Sequence, residues 1–290
     1  MTITLVVLLV AVGAGVVAFG MSATQALPDP VDPAAEERAT VRALERRPRL
    51  ARFLRQRLDR RSAGGLLLTV SFIVVFAVVL VVGLLLDSID ESGWLGELDD
   101  DIAAWGAEHA TSAAVDVLKI ITYLGGTWVV IAALAAAALA DWLRRRNVEV
   151  FVFAAVVIVG EKLIVNGMKW LVDRERPDVM WLVSWSGASF PSGHTAAAAA
   201  AWPAVALILG RDRSRRTRAL LAAGAALISV AVAASRALLG VHWLTDVLAG
   251  LVIGWGWFLL VAIAFGGRAQ RLGDPTTAQP KGVRVSASAR

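Results

Sequence analysis

The chain has 290 residues, 57% of them hydrophobic, and a mean hydropathy of +0.65; this excludes a soluble globular domain, and its apolar stretches approach the roughly 20 residues that cross a bilayer. The 29 basic and 24 acidic residues leave a net charge of +5, but the basic residues fall in short runs between apolar segments, which indicates membrane topology and not nucleic acid binding. Cysteine is absent, so disulfides, thiol nucleophiles and zinc–thiolate sites are excluded.

An uncharged apolar stretch occupies residues 2–20 and lacks the basic start of a secretory signal, so 1–21 reads as an N-terminal transmembrane helix or uncleaved signal. Residues 22–62 open with Pro28, Pro30 and Pro33 and turn arginine-rich, as expected of a cytoplasmic linker. The hydrophobic pattern then predicts a core over 63–266 with helices at 64–86, 115–140, 149–170, 193–210, 217–235 and 243–266. The fourth carries the weakest signal, being mostly alanine and containing Pro203. Residues 267–290 read as a disordered, basic, cytoplasmic tail. The fold class expected is all-α: a polytopic membrane bundle with a six-helix core and an extra N-terminal helix.

Arginine clusters precede the first core helix and recur at Arg144–Arg146, from Arg211 to Arg218 and in the tail, whereas the connection from Asp87 to Ser112 has eight acidic residues and no Lys or Arg. The positive-inside rule places the arginine-rich loops in the cytoplasm. Counting crossings then brings the ends carrying Arg176, His194, Arg236 and His242 to one extracytoplasmic face. Within the acidic connection, Leu98, Ile102 and Trp105 form an apolar stripe at helical spacing. It fits a short helix at the membrane interface, serving as a lid over helix ends or as a substrate-entry rim.

Three polar blocks interrupt the oily sequence: Lys169-x6-Arg176-Pro177, Pro191-Ser192-Gly193-His194, and Ser235-Arg236-x5-His242-x3-Asp246. Removing a phosphoryl group requires cations around its oxygens, an in-line nucleophile and an acid for the leaving oxygen. Arg176 and Arg236 offer planar forks that match phosphate, and Lys169 a compact point charge. Ser192 and the amides of Ser192, Gly193 and His194 begin a helix, where anions bind. His242 and Asp246, four apart, share a helix face, so the carboxylate can orient the ring and leave its other nitrogen to attack phosphorus or move a proton.

These blocks resemble the complete signature of the type-2 phosphatidic acid phosphatase family, within the acid phosphatase and vanadium haloperoxidase superfamily, over about residues 64 to 266. The resemblance implies that His242 is the nucleophile forming a phosphohistidine, Asp246 its orienting partner and His194 the acid for the leaving oxygen. It implies that Lys169, Arg176, Ser192, Gly193 and Arg236 hold the phosphate, with no metal and no cofactor. The expected activity is hydrolysis of lipid phosphates or pyrophosphates at the outer face of a plasma membrane. Undecaprenyl pyrophosphate, phosphatidic acid, phosphatidylglycerol phosphate and diacylglycerol pyrophosphate are the substrate classes implied. The alternatives are a non-catalytic lipid-phosphate binding or transport protein, and a vanadate-loaded haloperoxidase. The membrane character argues against the haloperoxidase, and a histidine–aspartate pair is superfluous for mere binding.

Other polar residues receive structural readings. Arg174, Glu175 and Asp178 read as loop charges, and Trp181 and Trp185 as interfacial aromatics. Glu161 and Asn166 are expected to hydrogen-bond between helices. His109 reads as a solvated loop residue.

Overall fold

A computed structural model describes residues 63–87, 94–179 and 181–272. The expected N-terminal helix, the 22–62 linker and most of the tail lie outside the described residues. Among the described residues there are eight helices and no strand: α1 (Ala63–Asp87), α2 (Trp94–Glu108), α3 (Ser112–Tyr123), α4 (Thr127–Arg145), α5 (Glu149–Val172), α6 (Gly193–Gly210), α7 (Arg215–Leu238) and α8 (Leu244–Leu272). Five of them, α4 to α8, have the length and hydropathy of membrane spans. Large apolar side chains such as Phe72, Phe76, Trp128, Leu163 and Trp170 cover the outside of the bundle, the inversion of a soluble surface that lipid contact allows.

The weak alanine-rich segment is the centre of the structure. From Thr195 to Ala201 every residue of α6 is buried, and α4, α5, α7 and α8 all pack around it. Small side chains make this possible because they let neighbouring backbones come close. A Cβ placed on Gly250 of α8 would stand 2.8 Å from the Ser192 carbonyl oxygen and 3.0 Å from Cβ of Thr195. Hydrogen at that position therefore sets the approach of α8 to the start of α6.

The helix expected over 115–140 is two helices, because the chain breaks at Leu124-Gly125-Gly126. A Cβ on Gly125 would meet the His194 carbonyl oxygen at 2.5 Å, so the chain can pass the start of α6 there only as glycine. Trp202 Nε1 donates to the Leu124 carbonyl at 2.9 Å, satisfying one of the acceptors that the end of α3 leaves open. The break frees α3 to pack on α7 with Ala114, Leu118 and Thr122 turned inward.

The interfacial stripe predicted at Leu98, Ile102 and Trp105 lies on α2. Ile102 and Trp105 pack on the apolar cluster of Leu118, Leu238, Leu239 and Val241. His109 just beyond it stacks on Trp105 at 4.7 Å between ring centroids. Glu161 and Asn166 depart from expectation: Asn166 is exposed, and among the described residues the buried Glu161 carboxylate accepts no hydrogen bond, its counter-charge being the Lys162 ammonium at 3.4 Å. Helix α8 continues through Leu272, past the expected end at 266.

The bundle has two chemically distinct ends. At one, Asp141 pairs with Arg145 and Arg211 at 2.9 Å each, and Arg145 also pairs with Asp212, so the two arginine-rich loops meet. The other end, across the 18 residues of α6 or about 27 Å at the helical rise, is where His194 sits.

Candidate active site

Each polar block sits where a helix starts or stops. Lys169 occupies the last turn of α5, which Asp173 ends in the left-handed conformation (φ 43°) while donating its amide to the Lys169 carbonyl. The chain then runs irregularly through 173–179 and 181–192, carrying Arg176 away from the helix. Ser192 is the N-cap of α6, and its side chain makes no capping bond. Arg236 lies in the last turn of α7, and a turn through Gly240 (φ 73°) delivers His242 to the start of α8, whose first turn holds Asp246.

These segments enclose a cavity of about 430 Å³ lined by Lys169, Arg176, Gly193, His194, Arg236 and His242, together with Ser184, Trp185 and Ser186. Six of the eight residues singled out in the sequence thus share one wall. Asp246 stands behind His242, fully buried, with Oδ2 3.4 Å from Nδ1 of the imidazole. Ser192 is also buried, its hydroxyl accepting from Thr195 at 3.0 Å, and it is absent from the cavity lining. Its amide donates to the Asp246 carbonyl at 3.1 Å, which joins the starts of α6 and α8.

Arg176 is the best held of the cations. Its guanidinium donates to the carbonyls of Ser186 (3.1 Å), Gly187 (3.1 Å), Ala188 (3.2 Å) and Val241, and its Nη1 lies 3.4 Å from Nε2 of His242. It also stacks 4.7 Å over the Trp185 ring. Removal from water lowers its affinity for a proton, and the Asp246 charge opposes that shift. Lys169 donates to the Ala188 carbonyl. Arg236 is 5% exposed and donates to Thr122 Oγ1 at 3.4 Å through Nη1, and among the described residues its buried Nε has no hydrogen-bond partner. A guanidinium so placed is expensive unless an anion completes it.

Because a guanidinium has only donors, Nε2 of His242 must present its lone pair to Arg176, which puts the hydrogen on Nδ1 facing Asp246. Burial, reinforced by Arg236 and Arg176 and opposed by Asp246, lowers the pKa of His242 to about 4. The ring is therefore neutral at physiological pH, with its free lone pair on the nitrogen nearer Arg176. That is the state a nucleophile needs.

Ser189, Arg174, Asp99 and Thr245 are residues at the site that escaped the sequence reading. Ser189 donates its hydroxyl to Asp246 Oδ2. Arg174, read as a loop charge, donates to Asp246 Oδ1 at 2.8 Å, to Thr245 Oγ1 at 2.7 Å and to Asp99 Oδ2 at 2.9 Å. Asp99, one of several carboxylates on α2, is 2% exposed and accepts from the Thr245 amide (2.9 Å) and hydroxyl (2.6 Å). The available signal was the position of Asp99 beside the Leu98, Ile102 and Trp105 stripe, on the side that faces the bundle.

Residues 150–269 match the profile of the PAP2 superfamily, and this stretch contains all three blocks. The match takes in 120 of the chain's 290 residues. Phosphatidylglycerophosphatase B of Bacillus subtilis is 37% identical over 108 residues, covering 37% of this chain and 53% of its own length. Lipid A 1-phosphatase of Rhizobium etli is 34% identical over 128 residues, 40% of this chain and 49% of its own. The chain thus spans about half the length of the curated relatives it matches. A crystal structure described as the first transmembrane PAP2 type phosphatidylglycerolphosphate phosphatase from Bacillus subtilis superposes with a TM-score of 0.62 at 26% identity, covering 68% of this chain and 96% of that one. The helical architecture around the PAP2 segment is therefore shared with a membrane protein.

Proposed function

We propose that this protein is an integral membrane phosphatase that hydrolyses lipid phosphate or pyrophosphate esters through a phosphohistidine on His242, with no metal. The observation that carries this reading is the meeting of Lys169, Arg176 and Arg236 with two histidines around one cavity at the start of α6. Three cations and open helix amides suit a phosphate's oxygens, and a neutral histidine backed by a carboxylate suits attack on phosphorus.

In the proposed cycle, Nε2 of His242 attacks phosphorus and the bond to the lipid oxygen breaks, with His194 donating a proton to that oxygen. His242 now carries the phosphoryl group and a positive charge that Asp246 balances. Water then attacks phosphorus, giving its proton to His194, and the P–N bond breaks to return neutral His242 and free phosphate. The cations act mainly on the charge that spreads over the equatorial oxygens.

The names of the relatives favour phosphatidylglycerol phosphate as the first substrate to try, with phosphatidic acid and undecaprenyl pyrophosphate next. With the arginine-rich end of the bundle in the cytoplasm, the cavity opens at the outer face of the cell membrane. Residues 63–266 would form the catalytic unit, between an anchored arginine-rich N-terminal region and a cytoplasmic tail.

The test is phosphate release from these three lipids in mixed micelles with chelator present, by the full chain and by H242A. Activity in the first, loss in the second, and an acid-labile phosphoryl adduct on His242 in quenched wild type are expected. Equal rates for the two proteins would overturn the nucleophile.

A further inference from the structure

Asp246 has more partners than its motif supplies. Its Oδ2 accepts from the Ser189 hydroxyl and from the Trp243 amide at 2.9 Å, besides facing His242. Its Oδ1 is taken by Arg174 at 2.8 Å. The same guanidinium reaches Asp99 at 2.9 Å, so one partly buried cation, 13% exposed, bridges two carboxylates that are 2% and 0% exposed. Thr245 closes the ring, accepting from Arg174 and donating to Asp99. Asp99 also takes the Thr245 amide at 2.9 Å, so a side chain of α2 caps the first turn of α8 from 146 positions upstream. Arg174 lies 5.1 Å over the Trp243 ring, and its own carbonyl accepts from the Ser189 amide at 2.8 Å. Ser189 and Trp243, which donate to the Asp246 carboxylate, are thus each in contact with Arg174 as well.

We propose that Arg174 and Asp99 are positioning residues: together they clamp Asp246 in one orientation and so keep the hydrogen of His242 on Nδ1, leaving Nε2 free to attack. The inference rests on the reading of His242 as the nucleophile. Its physical basis is charge and geometry. The two buried carboxylates share a single guanidinium whose planar fork can satisfy both at once, which an ammonium cannot. Without Arg174 the two buried carboxylates lose the one cation bonded to both, which drives one of them toward taking up a proton. A protonated Asp246 can donate to Nδ1, which moves the imidazole hydrogen to Nε2 and removes the attacking lone pair.

The experiment uses full-length protein in detergent micelles with 15N-labelled histidine. The chain has only three histidines, and H109Q and H194Q identify the other two signals. The 15N shifts of wild-type His242 at neutral pH should show the Nδ1–H form alone. R174M should show a mixture of tautomers, and kcat should fall about 10- to 100-fold, the usual range for losing a partner that orients a reacting group, while KM stays within about threefold. R174M/D99N should return the tautomer toward wild type, since removing one anion lets Asp246 ionise again. If R174M is not recovered folded, R174K decides: an intermediate tautomer population supports the clamp, and a wild-type spectrum with wild-type kcat overturns it. A wild-type spectrum in R174M, or a double variant no nearer to wild type than R174M, also overturns it. Wild-type protein that releases no phosphate from any lipid phosphate would end the functional reading, and the tautomer populations would still decide the clamp.

Discussion

Gly250 of α8 lies so close to Ser192, the residue that starts α6, that an added methyl group would stand 2.8 Å from the Ser192 carbonyl oxygen. The two helices that bear His194 and Asp246 are thus registered by the absence of a side chain. G250A should unfold at lower temperature in detergent, losing roughly 1 to 3 kcal/mol by overpacking, and its phosphate release should drop as the start of α6 shifts. G224A is the control, because nothing lies within 4 Å of a Cβ there; helix propensity predicts a gain of up to about 1 kcal/mol. Equal melting of the two variants would contradict the packing argument.

Arg236 should show stability and function moving in opposite directions. Among the described residues its buried Nε has no hydrogen-bond partner, so R236M removes an incompletely paired buried charge and is expected to melt at or above the wild-type temperature in the absence of substrate. The same change should lower kcat/KM by an amount equivalent to about 2 to 4 kcal/mol, as for losing one donor to a developing oxyanion. Thermal unfolding and kinetics on the same preparation check both halves. A variant that is less stable yet fully active would refute the assignment of Arg236 to the phosphate.

The acid role proposed for His194 predicts a dependence on the leaving group. H194A should slow hydrolysis of alkyl phosphates far more than of aryl phosphates, because a good leaving oxygen needs little protonation in the transition state. Rates across a series of leaving-group pKa values give the slope. Equal losses along the series would remove His194 from that role.

His242 predicts a particular pH dependence. Its pKa is lowered from 6.5 to about 4, chiefly by burial, so between those values the unfolded chain holds a proton that the folded one does not. Its contribution to stability is full above about pH 6.5 and is lost as the pH falls toward 4. In the substrate-free protein the 15N signal of His242 should therefore remain that of a neutral ring at pH 5.5, between those two limits. A cationic ring at that pH would show that Asp246 outweighs burial. The melting temperature of H242A should also fall less than that of wild type across the same interval.

What the sequence made legible, and what it hid, divides by the range of the interaction. Spacing within one block is local, so the contact of His242 with Asp246 could be anticipated, although His242 lies in the bend before α8 and not on a helix face shared with Asp246, and the helix start at Pro191-Ser192-Gly193-His194 could be read directly. Convergence of the blocks followed from topology, since arginine-rich loops fix which helix ends share a side. The break at Gly125-Gly126 was concealed because its cause, the His194 carbonyl, comes from a helix far along the chain. Asp99 and Arg174 were concealed likewise: one acidic residue among several and one arginine in a charged loop become distinct only when 75 residues of intervening chain fold them together. Ser192 was recognised as a helix start, but its hydroxyl turns to Thr195 and not to the cavity lining.

The capping of α8 by Asp99 has a practical corollary for anyone trimming this protein. The recognisable stretch, residues 150–269, omits both Asp99 and Thr122, the side chains that hold Thr245 and Arg236. A fragment cut at those boundaries would keep every signature residue and still lack two of their anchors. Supplying residues 63–149 as a separate polypeptide in the same membrane is accordingly the natural complement, and recovery of function on mixing would measure how much of the site the upstream helices contribute.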